Sequence, residues 1–141
     1  MNVKQISVFL ENRPGQLAQI TGKLADNHVD LRAISIAETT DYGVLRLLVD
    51  DTERAARILL EDGHILTLTP VTVVGVKDEP AALSKLLGKL ASTQIEYMYS
   101  LFTHPGGKAY MVFRASDNHA FQATLAEHGI VPVSSEELGL K

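Results

Sequence analysis

Residues 8–25 read VFLENRPGQLAQITGKLA, and residues 74–91 read VGVKDEPAALSKLLGKLA. Laid over one another without a gap, at an offset of 66 positions, Val8 meets Val74, Pro14 meets Pro80, Leu17 meets Leu83 and the run Gly22-Lys23-Leu24-Ala25 meets Gly88-Lys89-Leu90-Ala91. The same offset carries Asp51 onto Asp117, Leu59 onto Leu125, Glu61 onto Glu127 and Gly63 onto Gly129, with near-replacements at Asn12/Asp78, Val29/Ile95, Asp30/Glu96 and Ile65/Val131. One constant offset with matching hydrophobic phase means two copies of one unit. The copies span residues 1–69 and 70–141 and meet near Pro70 with almost no linker.

Each copy switches period in the same order. Ile6, Val8 and Leu10 alternate, as do Thr72, Val74 and Val76, the period-two mark of a strand with one buried face. Pro14 then stands at a helix start, followed by Leu17, Ile20 and Leu24; Leu83, Leu86, Leu87 and Leu90 do the same in the second copy. Two strands follow, at 31–38 and 43–50, with Leu45, Leu47 and Val49 on one face and Met111, Phe113 and Ala115 at the same phase in copy two. Thr40-Asp41-Tyr42-Gly43 and Pro105-Gly106-Gly107 supply the turns. A second helix begins after Asp51 or Asp117 and stops at Gly63 or Gly129. A short last strand, Ile65–Thr69 or Ile130–Val133, closes each copy. The predicted fold is α+β: two ferredoxin-like βαββαβ units with antiparallel sheets, packed side by side.

Composition narrows the function. The chain of 141 residues carries 13 Lys plus Arg against 17 Asp plus Glu, a net charge of -4, so no general attraction to nucleic acid or an anionic membrane is expected. There is no cysteine, which removes disulfides, thiolate metal sites and cysteine nucleophiles together. The N-terminus has neither a long apolar run nor an apolar span of membrane length, and a cytoplasmic protein is expected. The fold class itself hosts RNA binding, metal transfer, hydrolysis and ligand sensing, so the site must decide.

The loop from the first strand to the first helix carries the signal. In copy one, Phe9-Leu10-Glu11-Asn12-Arg13-Pro14-Gly15-Gln16-Leu17 joins the end of a strand to a helix N-terminus, whose free N–H groups and positive dipole end favour a carboxylate. Gly15 lets a ligand approach the backbone, and Asn12 can donate and accept. Asp30, at the start of the next strand, suits an ammonium group, so the two elements together would grip both ends of an α-amino acid. A pocket bounded by Leu10, Leu17 and Leu31, with Tyr97 as a further wall, suits an apolar, aromatic or imidazole side chain. Asn12, Pro14 and Gly15 are equally what a strand-to-helix turn demands.

Asn12-Arg13-Pro14-Gly15-Gln16-Leu17, followed by Gly22 and by Asn27-His28-Val29-Asp30-Leu31, resembles the start of an ACT domain, most nearly the regulatory ACT domain of phosphoglycerate dehydrogenase. The resemblance covers nearly the whole chain as two ACT units with no catalytic domain attached. In that family the Asn of the N-x-P-G loop and a polar residue at the start of the second strand hold an effector amino acid across an interface between two ACT units. The resemblance places these roles on Asn12 and Asp30. A histidine two residues before the Asn, a third effector contact there, falls on Leu10. Copy two departs further, with Asp78 for Asn12, Glu79 for Arg13, Ala81 for Gly15 and Glu96 for Asp30. Like-charge repulsion from Asp78 and Glu79 opposes a carboxylate there, so copy one is the expected carboxylate site, while Asp78 and Glu96 suit an ammonium pocket. Stand-alone ACT pairs imply one continuous eight-stranded sheet and a homodimer.

Other patterns are weaker. The histidines at 28, 64, 104, 119 and 128 form no i, i+4 pair, so no metal site and no cofactor are expected. Lys108-Ala109-Tyr110-Met111-Val112-Phe113, with Tyr97 and Tyr99 nearby, faintly matches an RNA-binding strand, but Met111 and Phe113 share the buried phase. Ser100, Ser134 and Ser135 lie in no nucleophile motif, and Arg13 alone is a thin match to the arginine cradle of an acylphosphatase. Val133–Leu140 reads as a cap-like turn or a loose tail. The expected function is a non-catalytic regulatory protein that binds a small free amino acid between two ACT units and modulates a metabolic enzyme. The rivals are a dimerisation scaffold without ligand and an acylphosphatase-like hydrolase.

Overall fold

The structure is a computed structural model that describes residues 2–11, 13–38, 42–102 and 108–141. Asn12 therefore lies outside the described residues, as do Thr40 and Asp41 of the first expected turn and Pro105-Gly106-Gly107 of the second. The chain divides into two compact units. The first comprises Lys4–Thr69 with Gly139–Lys141, and the second comprises Pro70–Leu138 with the residues up to Val3.

The first unit contains β1 (Val3–Glu11), α1 (Gln16–Asp26), β2 (Leu31–Glu38), β3 (Tyr42–Val49), α2 (Thr52–Glu61) and the opening residues of β4 (Leu66–Lys77). β3 lies between β1 and β2 and is antiparallel to both, with Ile6 opposite Leu47 and Val8 opposite Leu45. On its other side β1 meets the start of β4, where Phe9 N–H donates to Ile65 O at 2.9 Å. Ile6, Val8 and Leu10 point the same way as Leu45 and Leu47, and Ile20 and Leu24 of α1 and Leu59 of α2 close over them. Each such side chain, removed from water, contributes about 1.5–3 kcal/mol, which is what holds the two helices on this face.

In the second unit the rest of β4 is followed by α3 (Ala82–Lys89), β5 (Ile95–Ser100), β6 (Lys108–Ala115) and α4 (Asn118–Glu127). β6 lies antiparallel between β4 and β5, with Val74 opposite Met111 and Tyr99 opposite Val112. Val74, Val76, Leu86, Leu90, Phe113, Phe121 and Leu125 form the core, in which the Phe113 and Phe121 rings lie 5.4 Å apart. A polar network runs outward from the buried Thr72: Thr72 Oγ1 donates to Asn118 Oδ1 and accepts from Gln122 Nε2, and the amides of Asn118 and Gln122 both donate to the exposed Asn2 Oδ1.

The helix boundaries follow the sequence. Asp51 accepts from Arg54 N–H at 3.3 Å and Asp117 from Ala120 N–H at 3.0 Å, capping α2 and α4. Both helices end on a left-handed glycine, Gly63 at φ 88° and Gly129 at φ 69°. The next residue bonds back over the turn, His64 N–H to Leu59 O and Ile130 N–H to Leu125 O, which is the Schellman arrangement.

Three expectations need correction. The last strand of copy one and the first of copy two are a single strand, β4, running through Pro70. Pro70 lacks an N–H, but its carbonyl accepts from Arg114 Nη1 at 2.9 Å. The strand expected at Ile130–Val133 is absent, because Pro132 removes a ladder donor; Ile130 N–H turns back to α4, and Val133 N–H reaches β4 at Val73 O, 2.8 Å away. Six strands are thus described where eight were expected. The C-terminal residues are also not a loose tail. After a turn in which Ser134 Oγ accepts from Glu137 N–H, Leu138 and Leu140 are buried, Lys141 N–H donates to Asp50 O at 2.7 Å, and its own carbonyl accepts from Thr52 N–H. No described helix is long and apolar enough to cross a membrane.

Candidate functional site

The β1–α1 connection is a tight backbone device, built twice. Arg13 N–H donates to Glu11 O at 2.8 Å, Gln16 N–H reaches back to Arg13 O, and Gly15 stands at φ 85° before α1. In the second unit Glu79 N–H donates to Lys77 O at 2.9 Å, Ala82 N–H reaches Glu79 O, and Ala81 takes φ 69°. A left-handed alanine carries about 1 kcal/mol of strain, so the loop path is enforced by the surrounding fold. A Cβ built on Gly15 meets nothing within 4 Å, so its backbone angle, rather than crowding within the chain, is what asks for glycine. No side chain caps the N-terminus of α1 or α3 among the described residues, which leaves first-turn N–H groups as donors for a ligand.

Two clefts open against this loop in the first unit. The larger, about 420 Å³, is lined by Phe9, Leu10, Glu11, Arg13, Gln16, Gln19, Tyr42 and residues 62–65. The smaller, about 70 Å³, is lined by Leu10, Glu11, Arg13, Gln16, Leu17, Ile36 and Gly43. Leu10, Arg13 and Gln16 thus serve both, and Leu17 serves the smaller. Arg13 Nε lies 3.1 Å from Glu11 Oε2, with both side chains largely exposed. A pair of this kind contributes about 0–1 kcal/mol, so the guanidinium exchanges partners freely.

Asp30 and Leu31 are not brought to this loop within their own unit. Leu31 sits opposite Val49 at one end of β3, whereas Glu11 sits opposite Tyr42 at the other, a separation on the order of 20 Å at strand spacing. Leu31 packs against the core. The exposed Asp30 side chain pairs with Arg32 Nε at 3.4 Å, and its N–H donates to Asp50 Oδ1. Glu96, exposed at the start of β5, is equally remote from Asp78 and Ala81, since Ile95 faces Ala115 while Lys77 faces Lys108. A ligand spanning loop and second strand, as the resemblance implies, would need a second unit.

The second unit has its own cleft of about 420 Å³, lined by Val76, Lys77, Glu79, Ala82, Lys85, Lys89 and Ile130 among others. It occupies the place of the larger first-unit cleft, since Lys77, Ala82 and Ile130 match Glu11, Gln16 and His64 at the repeat offset. Of the two acidic residues expected to repel an anion here, Asp78 is not in the lining and Glu79 is, beside three lysines. Phe9, Gln19, Tyr42 and His64 of the first-unit lining were not singled out from the sequence. The signal for His64 lay in the repeat, which sets it against an apolar Ile130. Among the described residues no group of three or more His, Asp or Glu side chains is placed to hold a metal ion.

Residues 1–139 match the family of ACT domain pairs. The chain belongs to that family. Among solved structures, this ACT pair resembles protein BT0572 from Bacteroides thetaiotaomicron at 35% identity and a TM-score of 0.88, covering 99% of this chain and 96% of that one. The regulatory subunit of aspartate kinase from Thermus thermophilus, in ligand-free form, shares the fold at 19% identity and a TM-score of 0.61, over 88% of this chain and 91% of that one. Aspartokinase III of E. coli, solved in complex with lysine and aspartate, matches at 14% identity and a TM-score of 0.54, with 92% of this chain on 31% of that one. No curated protein matches. The family match is to paired ACT domains rather than to a catalytic domain, and it does not single out the phosphoglycerate dehydrogenase type.

Proposed function

We propose that this ACT pair is a non-catalytic regulatory protein that binds a free amino acid beside the β1–α1 loop of its first unit and passes the bound state to a metabolic enzyme. The observation that carries the reading is the match to paired ACT domains over residues 1–139. The loop supports it, since uncapped helix N–H groups, Arg13 and a cleft on either side form a carboxylate-receptive mouth. Asn12 is assigned to the same mouth by the resemblance of its loop, and Asp30 with Leu31, or Asp78, Ala81 and Glu96, would complete a site only from another unit. The Thermus neighbour, by its name a regulatory subunit of aspartate kinase, supports a partner enzyme.

The chain is further proposed to act as a homodimer. β2 pairs with β3 alone among the described strands and keeps Ile34 and Ile36 exposed, with Leu17 on the same small cleft as Ile36, an apolar strand edge that a second copy would cover. Binding regulates only through different affinities for two states, so ligand and partner must be coupled.

A thermal-shift screen of ligand-free protein against the twenty amino acids tests the reading. A selective rise that Asn12→Ala abolishes is expected; an unchanged melting temperature throughout would favour the scaffold reading, in which the loops are only turns.

A further inference from the structure

We infer that the larger first-unit cleft is the amino-acid site, and that it selects an amino acid with a flat, unsaturated side chain through Gln16, His64 and the Phe9–Tyr42 ring pair. The inference rests on the amino-acid reading above and deepens it.

Two buried polar atoms in the cleft lack a hydrogen-bond partner among the described residues, Gln16 Oε1 and His64 Nε2. The His64 side chain is only 10% exposed, and its nearest charged neighbour is Asp62 Oδ2 at 3.4 Å. A buried polar atom without a partner costs folding free energy, so its presence asks for an explanation. The second unit shows that the fold does not need either group. At the same positions of the same cleft it carries Ala82 and Ile130, both apolar. His64 also follows the helix-ending glycine, a position at which an apolar residue commonly packs back on the helix, as Ile130 is placed to do and a histidine is not.

The chemistry of the orphans defines the ligand. Gln16 Oε1 only accepts, so it calls for an N–H donor such as an ammonium group, which the Asp62 carboxylate on the same lining would also attract. With its hydrogen on Nε2, the imidazole donates to a carboxylate that Arg13, on the same lining, also meets. The Phe9 and Tyr42 rings stack at 5.1 Å with 20° between their planes and remain about half exposed, at 52% and 43%. They offer a flat side chain a stacking wall that a branched aliphatic side chain uses poorly.

The test measures melting of ligand-free full-length protein with each of the twenty amino acids, for wild type, Gln16→Ala and His64→Ile. Both substitutions install what the second unit already carries at those positions, so both variants are expected to fold with melting temperatures at or above that of wild type. Phenylalanine, tyrosine, tryptophan or histidine is expected to raise the wild-type melting temperature, and each variant is expected to bind that ligand at least tenfold more weakly. In wild type, the His64 ring signal in long-range 1H–15N NMR is expected to move on titration, which keeps the test independent of variant folding. An undiminished response in both variants, or an unmoved His64 signal at saturation, would overturn this site while leaving the amino-acid reading standing. A response confined to aliphatic or acidic amino acids would overturn the ligand class only. No response to any of the twenty would remove the amino-acid reading itself, and this inference with it.

Discussion

Gly15→Ala and Ala81→Gly are expected to move stability by similar amounts in opposite directions. Both positions sit one residue before a helix in the left-handed region, at φ 85° and 69°. A left-handed conformation costs an L-residue about 1–2 kcal/mol, and a glycine gives back about 0.4–1 kcal/mol through the freer unfolded chain. The difference predicts a loss of about 1 kcal/mol for Gly15→Ala and a gain of about 1 kcal/mol for Ala81→Gly. Nothing lies within 4 Å of the Cβ added at Gly15, so no steric contribution enlarges the loss. Urea denaturation followed by circular dichroism, with the slope held constant between variants, reads both values. A loss above about 3 kcal/mol for Gly15→Ala would mean that the Cβ meets something, and destabilisation by Ala81→Gly would mean that the turn is not left-handed in solution; either refutes the reasoning. Ligand response adds a second readout. If Gly15 serves only the turn, Gly15→Ala keeps the melting shift caused by the amino acid; if a ligand needs the open backbone, the shift disappears.

Other expectations are simpler. Asp51→Ala and Asp117→Ala should each cost about 1 kcal/mol, because each removes a side-chain cap from α2 or α4, and thermal denaturation of the two single variants checks this. Truncation after Leu138 removes the buried Leu140 and both backbone hydrogen bonds of Lys141, so it should cost about 3 kcal/mol and speed hydrogen exchange at Thr52 N–H; an unchanged exchange rate would place the tail free in solution. Phe121→Ala should cost about 3–5 kcal/mol, whereas Phe102→Ala, at a side chain 55% exposed, should be close to neutral by the same denaturation assay.

The repeat made most of the fold legible. The αβ order, the caps at Asp51 and Asp117, the stops at Gly63 and Gly129, and the buried phase of Leu45, Leu47, Phe113 and Ala115 all follow from local period and turn chemistry, and all are present. What escaped depends on pairing. Residues on either side of Pro70 read as two separate strands, yet, although the two units do divide there, β4 runs through it with the carbonyl of Pro70 still bonded. Pro132 should have counted against a final strand in copy two, and the docking of Leu140 requires the remote backbone of Asp50 and Thr52, which no local pattern signals. The candidate site was half legible. Leu10, Arg13, Gln16 and Leu17 do line clefts at the loop, but the antiparallel layout puts Asp30 and Leu31 at the far end of the sheet. His64 lies 48 positions after Gln16 in sequence, so only the fold brings the two to one cleft.

The most direct measurement is a calorimetric titration of ligand-free protein with each of the twenty amino acids at millimolar concentration. The account predicts saturable heat for one amino acid or a small chemical set, together with a stabilisation of about 2.7 kcal/mol when the ligand stands at 100 times its dissociation constant. Absence of saturable binding for all twenty, on protein that melts cooperatively, would contradict an amino-acid-sensing role for this ACT pair.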